Sequence, residues 1–240
     1  MELKDIFKME MYKNRNDMPY LLVIAILTAM AAVTSFLAVL LIESSSDNST
    51  LLVIEVMLAF FTIIGLFVFS LLYPFHLLNV DYKNKVMSLI FASGVSREKY
   101  YFVKISATIL STLLATFVIL IIPIVTFLMV YPDFFVKAVQ NIVSSFNSTD
   151  IFSFVLSVTI GLVSNIVILA TAVIITKGKT SGIFLFFGFS LIASIIQSSF
   201  LFPSDMSFTS STFYLDAIFS VLKIVVFVLI GINVLNKQDL

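Results

Sequence analysis

Residues 19–42 contain no charged side chain. About 20 apolar residues suffice to carry a helix across the hydrocarbon of a bilayer, and this run exceeds that length. Comparable stretches return at 51–78, 101–130, 151–176, 181–202 and 213–235. Inside hydrocarbon the backbone satisfies its own hydrogen bonds only as a helix or a closed barrel, and runs of this length read as helices. The expected fold is therefore an all-α integral membrane protein with six transmembrane helices, forming one domain over residues 1–240. Composition agrees: 60% of residues are hydrophobic, 26 are Phe, and 12% are charged, about half the usual share in soluble domains. Pro19 suits the first turn of its helix, where a missing N–H costs nothing, and Pro123 is expected to kink the third span.

Residues 1–18 are polar but patterned. Leu3, Ile6, Phe7 and Met11 recur at helical spacing, while Lys4, Lys8, Lys13 and Arg15 carry the charge. This pattern predicts an amphipathic helix lying on the membrane surface. A signal peptide is excluded, because the apolar run behind it continues to spanning length without a small-residue cleavage pattern. Six crossings place both termini on one side. Twelve of the fourteen Lys and Arg residues fall in the N-terminal segment, in 79–104, in 177–180 and near residue 237; Lys137 stands alone among the opposite loops and Lys223 lies within a span. Positive charge accumulates on the cytosolic side, so both termini and the 79–104 segment are expected there, in a multi-pass plasma-membrane protein. The longest outer loop, 131–150, carries Phe135, Val139, Ile142 and Val143 on one helical face and could hold a short interfacial helix.

Most catalytic chemistry is excluded by what the chain lacks. There is no Cys and one His, His76, so thiol chemistry, disulfides and multi-histidine metal sites are ruled out. His76 reads as an interface residue. A net charge of zero and the lack of a basic stripe beyond the membrane flanks argue against nucleic acid. Gly178-Lys179-Thr180 matches the last residues of a phosphate-binding loop, but the first glycine of that motif would fall at Val173. This stretch reads as a basic turn, and the chain carries no nucleotide site or cofactor of its own. Asn48-Ser49-Thr50 and Asn147-Ser148-Thr149 match the glycosylation pattern on the outer side. Glu55 and Lys223 are the ionisable residues expected below the outer headgroups; they either snorkel outward, or pair, or line a polar path.

The polar stretch 79–104 lies between the second and third spans and holds Lys83, Lys85, Arg97, Lys99 and Lys104. Asp81 can cap a helix start. Val86, Met87, Leu89, Ile90 and Phe91 form an apolar side opposite Lys83, Asn84, Lys85 and Ser88. Gly94 suits the left-handed residue that ends a helix. Ser96 can cap the next one, with Val95 packing on Tyr100. The pattern predicts a helix from Tyr82 to Phe91 that presents apolar side chains to a soluble partner, with Arg97 and Lys99 at its rim. An ordinary orienting loop, or a helix flat on the lipid surface, are the alternatives.

Six spans, a basic amphipathic N-terminal helix and this corner together resemble the ABC-2 type permeases, the membrane subunits of type-2 ABC exporters. The resemblance rests on Asp81, Met87-Ser88-Leu89-Ile90, Ser93-Gly94-Val95-Ser96-Arg97, Tyr100 and Lys104; Gly94 stands where the family commonly has Pro. It implies that 79–100 holds a coupling helix, contacting a separate ABC ATPase subunit through Tyr82, Lys83, Asn84, Lys85, Val86, Met87, Leu89, Ile90, Phe91, Arg97 and Lys99. It further implies two copies of that ATPase, which bind ATP and Mg, and a second membrane subunit, identical or related. Small size and short outer loops resemble bacterial exporters of bacteriocins and amphipathic peptide toxins. Two other classes stay open: an ion-gradient-driven secondary transporter, and a non-transporting membrane anchor. Nearly uncharged spans and the lack of repeated halves speak against the former.

Overall fold

The computed structural model describes residues 3–44, 49–130, 132, 136–137, 140, 148–201 and 210–238. The loop at 45–48, most of 131–147 with its expected interfacial helix, and 202–209 lie outside the described residues, as do Asn48 and Asn147. Among the described residues eight helices follow in order: α1 Leu3–Arg15, α2 Met18–Ser44, α3 Ser49–Lys83, α4 Val86–Ala92, α5 Arg97–Val130, α6 Ser148–Ile175, α7 Ser181–Leu201 and α8 Ser210–Lys237. Among the described residues there is no strand. Six of these helices (α2, α3 and α5 to α8) are long and apolar enough to cross a membrane. The chain has the build of a multi-pass membrane protein.

The helices begin and end for readable reasons. Pro19 falls in the first turn of α2, where Asp17 O accepts from the N–H groups of Tyr20 and Leu21 at 3.1 and 3.0 Å. Pro74 and Pro123 both sit inside continuous helices. Thr hydroxyls within the spans donate back to the carbonyl four residues earlier, as Thr62 does to Leu58 O at 2.8 Å and Thr126 to Ile122 O at 2.9 Å. Hydrocarbon offers no other partner for such a group, so this local bond is what makes it tolerable there. α6 ends in a Schellman arrangement: Gly178 N–H donates to Val173 O at 2.9 Å and Lys177 N–H to Ile174 O at 3.1 Å, with Lys177 at φ 50 in the left-handed region. The expected phosphate-loop lookalike is thus a helix terminus and turn.

The chain forms two compact units. One comprises Met1–Met11, Pro74–Ile109 and Ser145–Leu240; the other comprises Tyr12–Tyr73 and Leu110–Ser144. In the first, α6 packs against α8 and α7, and α7 against α8. Fifty-six per cent of the α6 span is buried, against 11–22% of the other five, so α6 is packed as a core helix. Its stretch from Ile166 to Ile174 is buried on every side. Thr171, within that stretch, shares its hydroxyl proton between Val167 O at 3.0 Å and Phe227 O of α8 at 2.9 Å. In the second unit Gly65 of α3 lies so close to Leu27 of α2 that an added Cβ would meet its Cδ2 at 2.8 Å. Tyr73 stacks on Phe69 and meets Tyr20, with centroids 4.9 and 5.3 Å apart. Buried Asn14 donates to Ser111 Oγ at 2.9 Å. Outward α3 side chains such as Phe60, Phe61 and Phe67 are exposed, as lipid-facing residues must be.

Candidate functional site: the corner after the second span

The corner is built differently from the sequence expectation. α3 does not stop near 78 but runs on to Lys83. The break falls at Asn84 and Lys85, where Asn84 N–H donates to Val80 O at 3.0 Å, Lys85 N–H to Tyr82 O at 3.1 Å, and Lys85 adopts φ 54. Tyr82 and Lys83 therefore belong to the spanning helix, and the expected Tyr82–Phe91 helix is replaced by the seven-residue α4, Val86–Ala92. Gly94 takes φ 85, as expected of the residue that ends it. Ser96 then caps α5, its Oγ accepting the Lys99 N–H at a long 3.4 Å.

Asp81 is not a helix cap. It lies inside α3, fully buried, and takes part in an ionic network. Lys104, early in α5, places its ammonium 2.6 Å from Asp81 Oδ2 and 2.6 Å from Glu10 Oε2 of α1. Tyr100, one helical turn before Lys104, donates its hydroxyl to the same Asp81 oxygen. All four side chains are buried. Burying charge is costly unless it is paired and hydrogen-bonded, and here each carboxylate meets the shared cation. The network fastens α1, the end of α3 and the start of α5 together. Asp81, Tyr100 and Lys104 stood out in the sequence, whereas Glu10 did not. Its signal was spacing: Ile6, Glu10 and Asn14 recur every fourth residue, and these three are the buried residues of α1. Leu3, expected on the apolar face, is exposed, while Phe7 and Met11 are half-buried.

The faces of α4 divide clearly. Met87 is buried, and Phe91 sets its ring edge-on to Tyr100 at 5.5 Å, beneath the Arg97 guanidinium at 5.6 Å. Both residues thus help to hold the corner together, a role the sequence did not suggest for them, and Phe91 stays half-buried. Val86 and Ile90 are half-buried, and Leu89 is 69% exposed. Lys83, Asn84, Lys85 and Lys99 are exposed around it. Arg97, expected at the rim, turns inward: its Nη1 donates to the carbonyls of Leu235, Asn236 and Gln238 at 2.7, 2.9 and 2.9 Å. A guanidinium is well suited to the unpaired carbonyls at a helix C-terminus. Gln238 completes the joint, donating to Ile174 O at 2.6 Å and accepting from the Tyr82 hydroxyl at 3.2 Å. Gly178 closes against the same end of α3, where an added Cβ would meet Asn79 Oδ1 and, at 2.5 Å, Tyr82 Cβ. The ends of α3, α6 and α8 thus converge on α4 within one unit.

A second polar group lies toward the other end of this unit. Asp216 of α8 accepts from Ser157 of α6 and from the Gln197 side-chain amide of α7. Gln197 Oε1 accepts from Lys223 Nζ at 2.7 Å. Lys223 is thus engaged within its own unit, through residues the sequence reading had not singled out, while Glu55 belongs to the other unit and is half-buried. No family model, no curated protein and no solved structure matches this chain.

Proposed function

We propose that this chain is the membrane subunit of an ATP-driven exporter of the ABC-2 permease type, in the cytoplasmic membrane of a bacterium. Its cargo is a hydrophobic or amphipathic peptide, or a lipid-like compound. ATP and Mg belong to a separate ATPase subunit, present in two copies, and two membrane subunits, identical or related, enclose the path. Both ends of the chain and the α4 corner face the cytosol, in line with the distribution of basic residues.

The observation that carries this reading is the buried Glu10–Lys104–Asp81–Tyr100 network beside α4. A docking helix transmits motion only if it is rigidly joined to what must move. Here a short helix with one outward Leu and a rim of exposed lysines adjoins two spans locked by buried charge. Leu89, with Ile90 beside it, is the apolar contact; Lys83, Lys85 and Lys99 steer the encounter. Burying Leu89 in a partner groove would contribute roughly 2 kcal/mol, and a carboxylate in its place would be stranded there. The test is cargo-stimulated ATP hydrolysis in membranes with equal amounts of wild-type and Leu89→Asp protein. The proposal requires stimulation to fall at least tenfold while insertion is unchanged. Undiminished stimulation would mean that α4 is only an orienting turn.

A further inference from the structure

Lys223 opens onto a cavity of about 330 Å³ between α7 and α8, lined by Phe189, Ile192, Ile196, Phe219 and Val226 with Gln197 at its edge. We propose that this groove holds an anionic phospholipid of the bilayer, its acyl chain along the apolar walls and its phosphate on Lys223. The inference does not depend on how, or whether, the protein transports.

Depth supports it. The α7 span, Ser181–Ser199, has 19 residues, which at 1.5 Å per residue is about 28 Å, just under the hydrocarbon thickness of about 30 Å. Gln197, two residues from its end, therefore lies at the hydrocarbon edge, where headgroups begin. Lys223 stands seven residues beyond Asp216 on α8, deeper by about 10 Å of helix rise. Side chains on a helix lean toward its N-terminus, so the Lys223 stem reaches back toward Gln197, and the 2.7 Å bond places the ammonium near that edge.

Charge supports it as well. Among the described residues Lys223 meets Asp216 through the Gln197 amide rather than directly. An ammonium has three protons to donate, and one is placed on Gln197. The others can meet a phosphate oxygen, in a setting where charge-assisted bonds are strong. Ile192, Ile196 and Val226 are exposed along the groove, at a depth where only acyl chains or another apolar surface can cover them. A headgroup bearing one phosphate with a tail directly below it satisfies both parts.

The full-length protein, stripped of lipid in mild detergent, is returned to bilayer discs of zwitterionic phosphocholine lipid with or without anionic phosphoglycerol lipid. Bound lipid is read by native mass spectrometry, and stability by the thermal midpoint. The proposal predicts preferential retention of the anionic lipid and a midpoint that rises with it. Lys223→Gln weakens that retention at least tenfold, Lys223→Arg preserves it, and Asp216→Asn tightens it by removing a competing negative charge. Ala193 also lines the groove, and Ala193→Trp, which fills it and leaves every charge in place, abolishes retention and decides the matter if Lys223→Gln does not accumulate. Equal retention of both lipids, or retention by the Gln and Trp variants, overturns the proposal. So does binding of an acidic amphipathic peptide in place of lipid, or efficient cross-linking of two chains through Ile192→Cys, since either outcome assigns the groove another occupant.

Discussion

Replacing Lys104 with Met removes the ammonium that two buried carboxylates share. Glu10 Oε2 and Asp81 Oδ2 each lie 2.6 Å from the Lys104 nitrogen, so they are at most about 5 Å apart; at an effective dielectric near 20, like charges at that distance repel by roughly 3 kcal/mol. Breaking a buried ion pair by deleting one partner costs about 3–5 kcal/mol in other proteins, and the two figures agree. Glu10→Gln should behave quite differently. It removes one negative charge, keeps an acceptor for the ammonium, and leaves a neutral Lys104–Asp81 pair, so the expected cost is about 1 kcal/mol. Combining Lys104→Met with Glu10→Gln and Asp81→Asn removes the charge of all three groups and should recover at least half of the single-variant loss, a non-additivity expected of groups in direct contact. Reversible unfolding in mixed micelles, followed by helical circular dichroism, measures all of these. The reasoning fails if Lys104→Met and Glu10→Gln differ by less than about 1 kcal/mol, or if the triple variant is no more stable than Lys104→Met.

Three further outcomes are expected. Gly178→Ala should destabilise the corner more than Gly94→Ala: both glycines have positive φ, but only at Gly178 does a new Cβ collide with Asn79 and Tyr82, while at Gly94 it meets nothing. Unfolding midpoints of the two variants at equal expression decide this, Gly94→Ala costing about 1–2 kcal/mol for the left-handed backbone alone. Arg97→Ala should raise amide exchange at Leu235–Gln238, where three carbonyls lose their donor, and Arg97→Lys should restore protection only in part, because all three bonds come from Nη1 at the far end of the guanidinium, beyond the shorter lysine stem, and the contact over Phe91 is weakened; exchange mass spectrometry reads both. The chain has no Cys, so single cysteines report sidedness cleanly. A cysteine at Ser93 should resist impermeant maleimide in intact cells while one at Ser145 reacts, and the reverse pattern would invert the orientation.

The spans were legible because hydrocarbon imposes one rule on long uncharged runs. Segments read as 19–42, 51–78 and 213–235 became α2 Met18–Ser44, α3 Ser49–Lys83 and α8 Ser210–Lys237. The largest miss was the end of α3, where polar Asn79 and Asp81 looked like the start of a corner. The helix continues because Asp81 finds its cation in Lys104, 23 residues on, and shares it with Glu10, 94 residues before that lysine. Local sequence cannot announce partners at such separations. Arg97 misled for the same reason, since its three carbonyls lie some 140 residues away. Within α4 the apolar stripe was visible, but not its division into inward Met87 and Phe91 and outward Leu89, which depends on where Tyr100 stands. Asp216 and Gln197 passed unremarked because each sits near a span end, where a polar residue is unexceptional; only the fold gathers them around Lys223.

The central claim is that Leu89 meets a soluble ATPase, and a photo-crosslinking amino acid at that position tests it most directly. After irradiation of intact cells, the account predicts a cross-linked product containing an ATP-hydrolysing cytosolic subunit, lost when the probe is moved to buried Met87. Cross-linking to lipid alone from position 89, with the protein correctly inserted, would contradict it and leave α4 lying on the membrane surface.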